Sequence, residues 1–128
     1  MTTILIVEDE DLLREGVQEV LEMNDYVVIG AADGVEALQW LSETPVDLVV
    51  TDLVMPNMDG VDFVAKLRQL YVQLPVIVVS GSSHSVMARY GLKSIEVPGA
   101  NASISKPFKS KDLLAKIEEL LAERVAPK

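Results

Sequence analysis

No cysteine occurs among the 128 residues, so disulfides, thiol nucleophiles and thiolate metal sites are all excluded. A reducing compartment is compatible with that. The only histidine, His84, has no partner at a metal-ligand or triad spacing, and its expected role is that of a plain loop residue. Basic residues are scarce: 11 Lys and Arg face 20 Asp and Glu, for a net charge of −9. Non-specific nucleic-acid binding needs a basic face and is not expected here. Long hydrophobic runs are missing too. The longest, Leu74 to Val79, is far too short to span a bilayer, and Met1-Thr2-Thr3 begins neither a basic stretch nor a signal-type apolar run. Internal repeats and low-complexity segments are also lacking. A cytoplasmic location with no membrane contact is the expectation. What remains is 49% hydrophobic and 24% charged, enough apolar surface to bury one domain's core.

The apolar residues are arranged in alternating periods. Ile4 to Val7 is a continuous aliphatic run that breaks into Glu8-Asp9-Glu10-Asp11, the profile of a strand buried on both faces and ending in an acidic loop. Leu13, Val17, Val20 and Leu21 then mark one face of a helix from about Asp11 to Met23. Tyr26 to Ala31 reads as a second strand. Asp33, with Glu36 three residues on, offers a variant capping box to a second helix expected to turn Val35, Leu38 and Leu41 inward, with Trp40 on its flank. Asp47 to Asp52 is a third strand, again apolar until it meets a carboxylate. Met55 to Gly60 is turn-rich, Asp59 is an N-cap candidate, and Val61, Val64, Leu67 and Leu70 or Tyr71 mark a third helix.

Pro75 to Val79 is a fourth strand. From 84 to 101 the pattern is poor: Val86, Met87 and Tyr90 seed at most a short helix, and Leu92, Ile95 and Val97 are expected to fold back onto the sheet. Ala102 to Ser105 is a short fifth strand. Leu113, Leu114, Ile117, Leu120 and Leu121 line the last, amphipathic helix. Strands that are near-continuous Val/Ile/Leu runs, alternating with helices, imply βαβ units and an α/β three-layer sandwich. A five-stranded parallel sheet ordered 2-1-3-4-5, flavodoxin-like, places its site where the strand order reverses, beyond the carboxyl ends of strands one and three.

The residues at those ends are Glu8, Asp9 and Asp52, with Ser80 after strand four and Lys106 after strand five. Three converging carboxylates repel one another and must take up protons or hold a cation. Hard oxygen donors with room for phosphate oxygens suit Mg²⁺. A carboxylate nucleophile, a lysine and a hydroxyl around that ion suit phosphoryl transfer.

Val7-Glu8-Asp9, Asp52-Leu53-Val54-Met55-Pro56-Asn57-Met58-Asp59-Gly60, Ser80-Gly81 and Lys106-Pro107-Phe108, in this order, resemble the receiver domain of two-component response regulators of the chemotaxis-regulator kind. The resemblance implies a receiver over 1–124 and a short tail over 125–128. It implies that Asp52 accepts a phosphoryl group from a sensor histidine kinase or histidine phosphotransfer protein. Asp9, Asp52 and the main-chain carbonyl of Val54 would hold Mg²⁺, with Glu8 acting mainly through a metal-bound water. Ser80 and Lys106 would contact phosphoryl oxygens, Lys106-Pro107 would be cis, and Gly81 would leave access to the acyl phosphate.

Two departures from the family pattern stand out. Ser103 occupies the position of a frequent Tyr or Phe, and the interval from Ser80 to Lys106, at 26 positions, is longer than usual. Both fall on the face that reads out activation, through which a downstream protein or output domain would be controlled and a weak dimer, if not a monomer, would form. The alternatives are an unphosphorylated receiver-like scaffold and an aspartyl-phosphate phosphohydrolase. Against the second, Val54 stands where such an enzyme needs a second carboxylate; against the first, Asp9, Asp52 and Lys106 are all present.

Overall fold

Each aliphatic run forms a parallel strand, because a strand covered by helices on both faces has no solvent side to which polar residues could alternate. In the computed structural model, which describes residues 1–81 and 97–125, the strands are β1 (Thr3–Val7), β2 (Val27–Ala31), β3 (Leu48–Asp52), β4 (Val76–Ser80) and β5 (Ala102–Ser105). They lie in the order β2-β1-β3-β4-β5, every pair parallel. The described helices are α1 (Asp11–Met23), α2 (Gly34–Glu43), α3 (Gly60–Leu70) and α4 (Ser110–Val125).

The two-residue period of the strands divides the core into two layers. Leu5, Val7, Val49, Val76 and Val78 pack with Ala37 and Leu41 of α2 and Phe63, Val64 and Leu67 of α3. Ile4, Ile6, Leu48, Val50, Ile77 and Val79 pack with Leu21 of α1 and Leu113, Ile117 and Leu120 of α4. β3 and β4 are buried along their whole length, whereas the edge strand β2 buries only Ala31 fully. The three-layer flavodoxin-like sandwich expected from the sequence is therefore the fold observed.

One inward position differs from the expectation, and an alternative left open at the end of the third helix is decided. Val35 is 54% exposed, and α2 faces the sheet through Gly34, Ala37 and Leu41 instead. Small residues at i and i+3 let the helix lie close to the sheet, so the larger Val35 is rotated off that face. At the end of α3, Leu70 is 69% exposed and the neighbouring Tyr71 turns in, its hydroxyl donating to the Leu41 carbonyl at 2.9 Å. The fourth strand also starts one residue later and takes in Ser80, which is consequently buried rather than a loop hydroxyl. Val97 folds back into the core as expected. His84, the short helix around Val86, Met87 and Tyr90, the contacts of Leu92 and Ile95, and the tail beyond Val125 lie outside the described residues.

Candidate functional site

The carboxyl ends of β1 and β3 are neighbours in the sheet, Val7 lying beside Thr51. The residues that follow are therefore forced into one crevice. Glu8 continues the β1 ladder, its amide donating to the Ala31 carbonyl at 3.0 Å, and is only 6% exposed. Asp52, the last residue of β3, is 8% exposed. Asp9 turns outward at the rim. One carboxylate oxygen from each of Glu8, Asp9 and Asp52 lies within 4.8 Å of the others.

Lys106 enters this cluster from the end of β5. Its Nζ donates to Glu8 Oε1 at 2.9 Å and to Asp52 Oδ2 at 3.1 Å. The other Asp52 oxygen accepts from the Leu53 amide at 2.8 Å. Burial raises the Asp52 carboxyl above its ordinary value and, with Asp9 repelling it, outweighs Lys106 and the Leu53 amide, which act in the opposite direction. Asp9 is raised as well, by lost solvation and then by its hydrogen bond to Glu8. For Lys106 burial lowers the value, but the hydrogen bond to Glu8 and the charge and hydrogen bond of Asp52 more than offset it and leave the ammonium raised.

Ser80 stands next to Lys106, its carbonyl accepting from the Lys106 amide at 2.8 Å. Its hydroxyl is buried, and among the described residues its Oγ has no hydrogen-bond partner. An unused buried donor beside a lysine and three carboxylates fits a ligand that brings acceptor oxygens. Gly81 follows; a Cβ there would meet Lys106 Cβ at 3.4 Å, an ordinary contact. The Lys106-Pro107 peptide is cis, as the family pattern implies.

The loop after Asp52 is shaped by close backbone approach. Thr51 Oγ1 donates to the Asp52 carbonyl at 2.9 Å, and the Gly60 amide donates to the Leu53 carbonyl at 2.7 Å. A Cβ on Gly60 would sit 2.7 Å from both the Asp52 carbonyl oxygen and Leu53 Cα, so only glycine fits. Val54 lies in this loop, 45% exposed, between the buried Leu53 and Met55. Asp59 caps α3, accepting from the Asp62 amide at 2.9 Å, as read from the sequence.

The structure thus gathers Glu8, Asp9, Asp52, Ser80 and Lys106 at adjoining strand ends, with Val54 on the bordering loop. Sequence reasoning missed Arg14, whose guanidinium donates to the Glu8 carbonyl and to Asp11 Oδ1, both at 2.7 Å, and so braces the acidic loop. The available signal was a lone basic residue one turn into a helix that follows four consecutive acids. Glu8, Asp9 and Asp52 form an all-oxygen donor set with two carboxyls pushed upward, which fits a small hard divalent cation. Beside the crevice runs a groove of about 630 Å³, lined by Leu12, Leu13, Gly16, Val17, Lys106 and Phe108 among others. Leu12 on its rim is 85% exposed.

This fold and this crevice are those of a phosphorelay signalling domain, and the comparisons with known proteins agree. The family model of the response regulator receiver domain matches residues 4–118, and the chain belongs to that family. It is 37% identical to the sensor kinase CckA of Brucella abortus over 95% of this chain and 13% of that protein. It is 36% identical to the response regulator MprA of Mycobacterium sp. (strain KMS) over 97% of this chain and 52% of that protein. The chain thus spans about half or less of the length of these relatives. Among solved structures, a response regulator of Thermotoga maritima in complex with Mg²⁺-BeF superposes with a TM-score of 0.79. The two are 28% identical, with 94% of this chain and 99% of that one covered. The protein is a receiver domain of two-component signalling.

Proposed function

We propose that Asp52 accepts a phosphoryl group from a phosphohistidine on a sensor histidine kinase or histidine phosphotransfer protein. The observation that carries this reading is the double contact of Lys106 Nζ with Glu8 and Asp52, which fixes a carboxylate nucleophile, a cation and an acidic cluster in one crevice. An Asp52 carboxylate oxygen attacks phosphorus, the phosphorus–nitrogen bond breaks, and the imidazole nitrogen keeps the electron pair and takes up a proton. The product is an acyl phosphate. Lys106 moves its contact from Asp52 Oδ2 to a phosphoryl oxygen, and Ser80 Oγ donates its unused hydrogen bond to another. Attack by water later releases inorganic phosphate and restores the carboxylate, so the chain promotes only its own modification and its reversal.

Glu8, Asp9, Asp52 and the Val54 carbonyl would hold Mg²⁺, which, when bound, offsets the negative charge of the carboxylates and the transferring phosphoryl group. The exposed groove is lined by Lys106 itself, so a donor protein that reaches Asp52 also covers Leu12 and Phe108. On this reading the domain occupies 1–124, works in the cytoplasm as a monomer or weak dimer, and acts on a downstream protein or output domain. Among the described residues no helix is long and apolar enough to cross a membrane.

The test is labelling by acetyl phosphate with Mg²⁺. The unaltered chain takes up one phosphoryl group, and Asp52→Asn takes up none. Undiminished labelling of that variant contradicts the assignment.

A further inference from the structure

The loop between β3 and α3 is closed at its base by the Gly60 amide on the Leu53 carbonyl. It is tied down a second time, to a different helix. Asn57 has φ 68°, in the left-handed region that asparagine tolerates better than most residues. From there its Nδ2 donates to Asp33 Oδ2 at 2.7 Å. Asp33 is at the same time the N-cap of α2, its Oδ1 accepting from the Glu36 amide at 2.8 Å. Both carboxylate oxygens are therefore used, one by the helix and one by the loop. The next loop residue, Met58, packs against the first turn of α2: a Cβ on Gly34 would lie 3.0 Å from its sulfur. Val54 lies between the closed base and the Asn57 tie.

We propose that the Asp33–Asn57 hydrogen bond is a positioning strap for the cation site, holding the β3–α3 loop, which carries Val54, against the N-terminus of α2. The proposal rests on the assignment of Mg²⁺ to Glu8, Asp9, Asp52 and Val54 above. Asn57 and Asp33 are positioning residues and touch no reacting atom. A loop released from α2 must be ordered again when the cation binds, and that ordering entropy is lost from the affinity. The coupling is reciprocal: a bound cation holds the loop to α2 as firmly as the strap favours the cation.

Two substitutions break the bond while keeping the local backbone. Asn57→Gly retains the left-handed turn and loses the amide. Asp33→Ser retains a capping oxygen and loses the reach to residue 57. The experiment is a Mg²⁺ titration of the whole chain, followed by amide chemical shifts, for the unaltered protein, both single variants and the double variant. Urea unfolding of each is measured in parallel. Each single variant is expected to weaken Mg²⁺ about three- to tenfold, the loss of one hydrogen bond. The double variant should be no weaker than the worse single one, because both remove the same bond.

A purely structural role would lower the urea midpoint and leave the Mg²⁺ affinity unchanged. Unaltered affinity in either single variant, or a double variant whose loss is the product of the two, overturns the strap while leaving the site assignment in place. An unaltered chain that binds no Mg²⁺ overturns the site assignment and the strap with it.

Discussion

At the scale of single residues, charge placement decides what the crevice can do. As the proposed nucleophile Asp52 must be ionised, yet burial works against that ionisation and Lys106 only partly offsets it. The fold thus carries a carboxylate that gains from a cation or from esterification by phosphate. Asp33 is the opposite case. The Glu36 amide, and then Asn57, hold its carboxyl below the ordinary value. A carboxyl that is more acidic in the folded than in the unfolded state adds stability that is complete above the unfolded pKa of about 3.9. That stability is lost as pH falls through the folded value. Asp33→Ala should therefore lower the unfolding midpoint at pH 7, by about 4 °C for a cap worth about 1 kcal/mol. Its difference from the unaltered chain should shrink as pH drops below about 4. Thermal unfolding scans from pH 7 to pH 3 measure it. A difference that stays constant over that range would mean that the charge contributes nothing.

At the scale of elements, the site is held by strand ends and by one loop whose shape depends on glycine. Gly60→Ala forces a Cβ against the Asp52 carbonyl oxygen and Leu53 Cα, both backbone atoms that cannot rotate away. The expected cost is about 1–3 kcal/mol, as for other overpacked sites. Because one displaced atom belongs to Asp52 itself and the other to the residue after it, acetyl phosphate labelling should fall together with the urea midpoint. Normal labelling at a normal midpoint would show that the loop relaxes without moving Asp52.

Most of the element pattern was legible in the sequence, since parallel strands announce themselves as aliphatic runs and their ends as sudden carboxylates. Glu8, Asp9, Asp52 and Lys106 could be grouped for that reason. Val35 was misplaced because hydrophobicity alone does not reveal that a helix approaches a sheet through Gly34 and Ala37. Arg14 and the Asp33–Asn57 pair were not legible, because polar contacts between loops depend on side-chain direction and leave no period in the sequence. Ser103 sits in β5 beside Val78.

At the scale of the whole molecule, two apolar layers enclose a sheet with an acidic cluster at the carboxyl ends of its central strands. The chain carries a net charge of −9, and among the described residues Glu8, Asp9 and Asp52 converge. A cation bound only by the folded state must stabilise the fold by mass action. Mg²⁺ at ten times its Kd should add about 1.4 kcal/mol, or about 5 °C in the unfolding midpoint. Asp9→Asn combined with Asp52→Asn should remove that increment, and an equal rise in the double variant would place the ion elsewhere.

The central claim is that a phosphoryl group resides on Asp52, and borohydride reduction tests it most directly. The unaltered chain is incubated with acetyl phosphate and Mg²⁺, the acyl phosphate is reduced, and the reduced residue is located by peptide mass mapping. The mark is expected on Asp52 and nowhere else. A mark on Asp9 or on Glu8, or a phosphorylated chain in which no carboxyl is reduced, would contradict it.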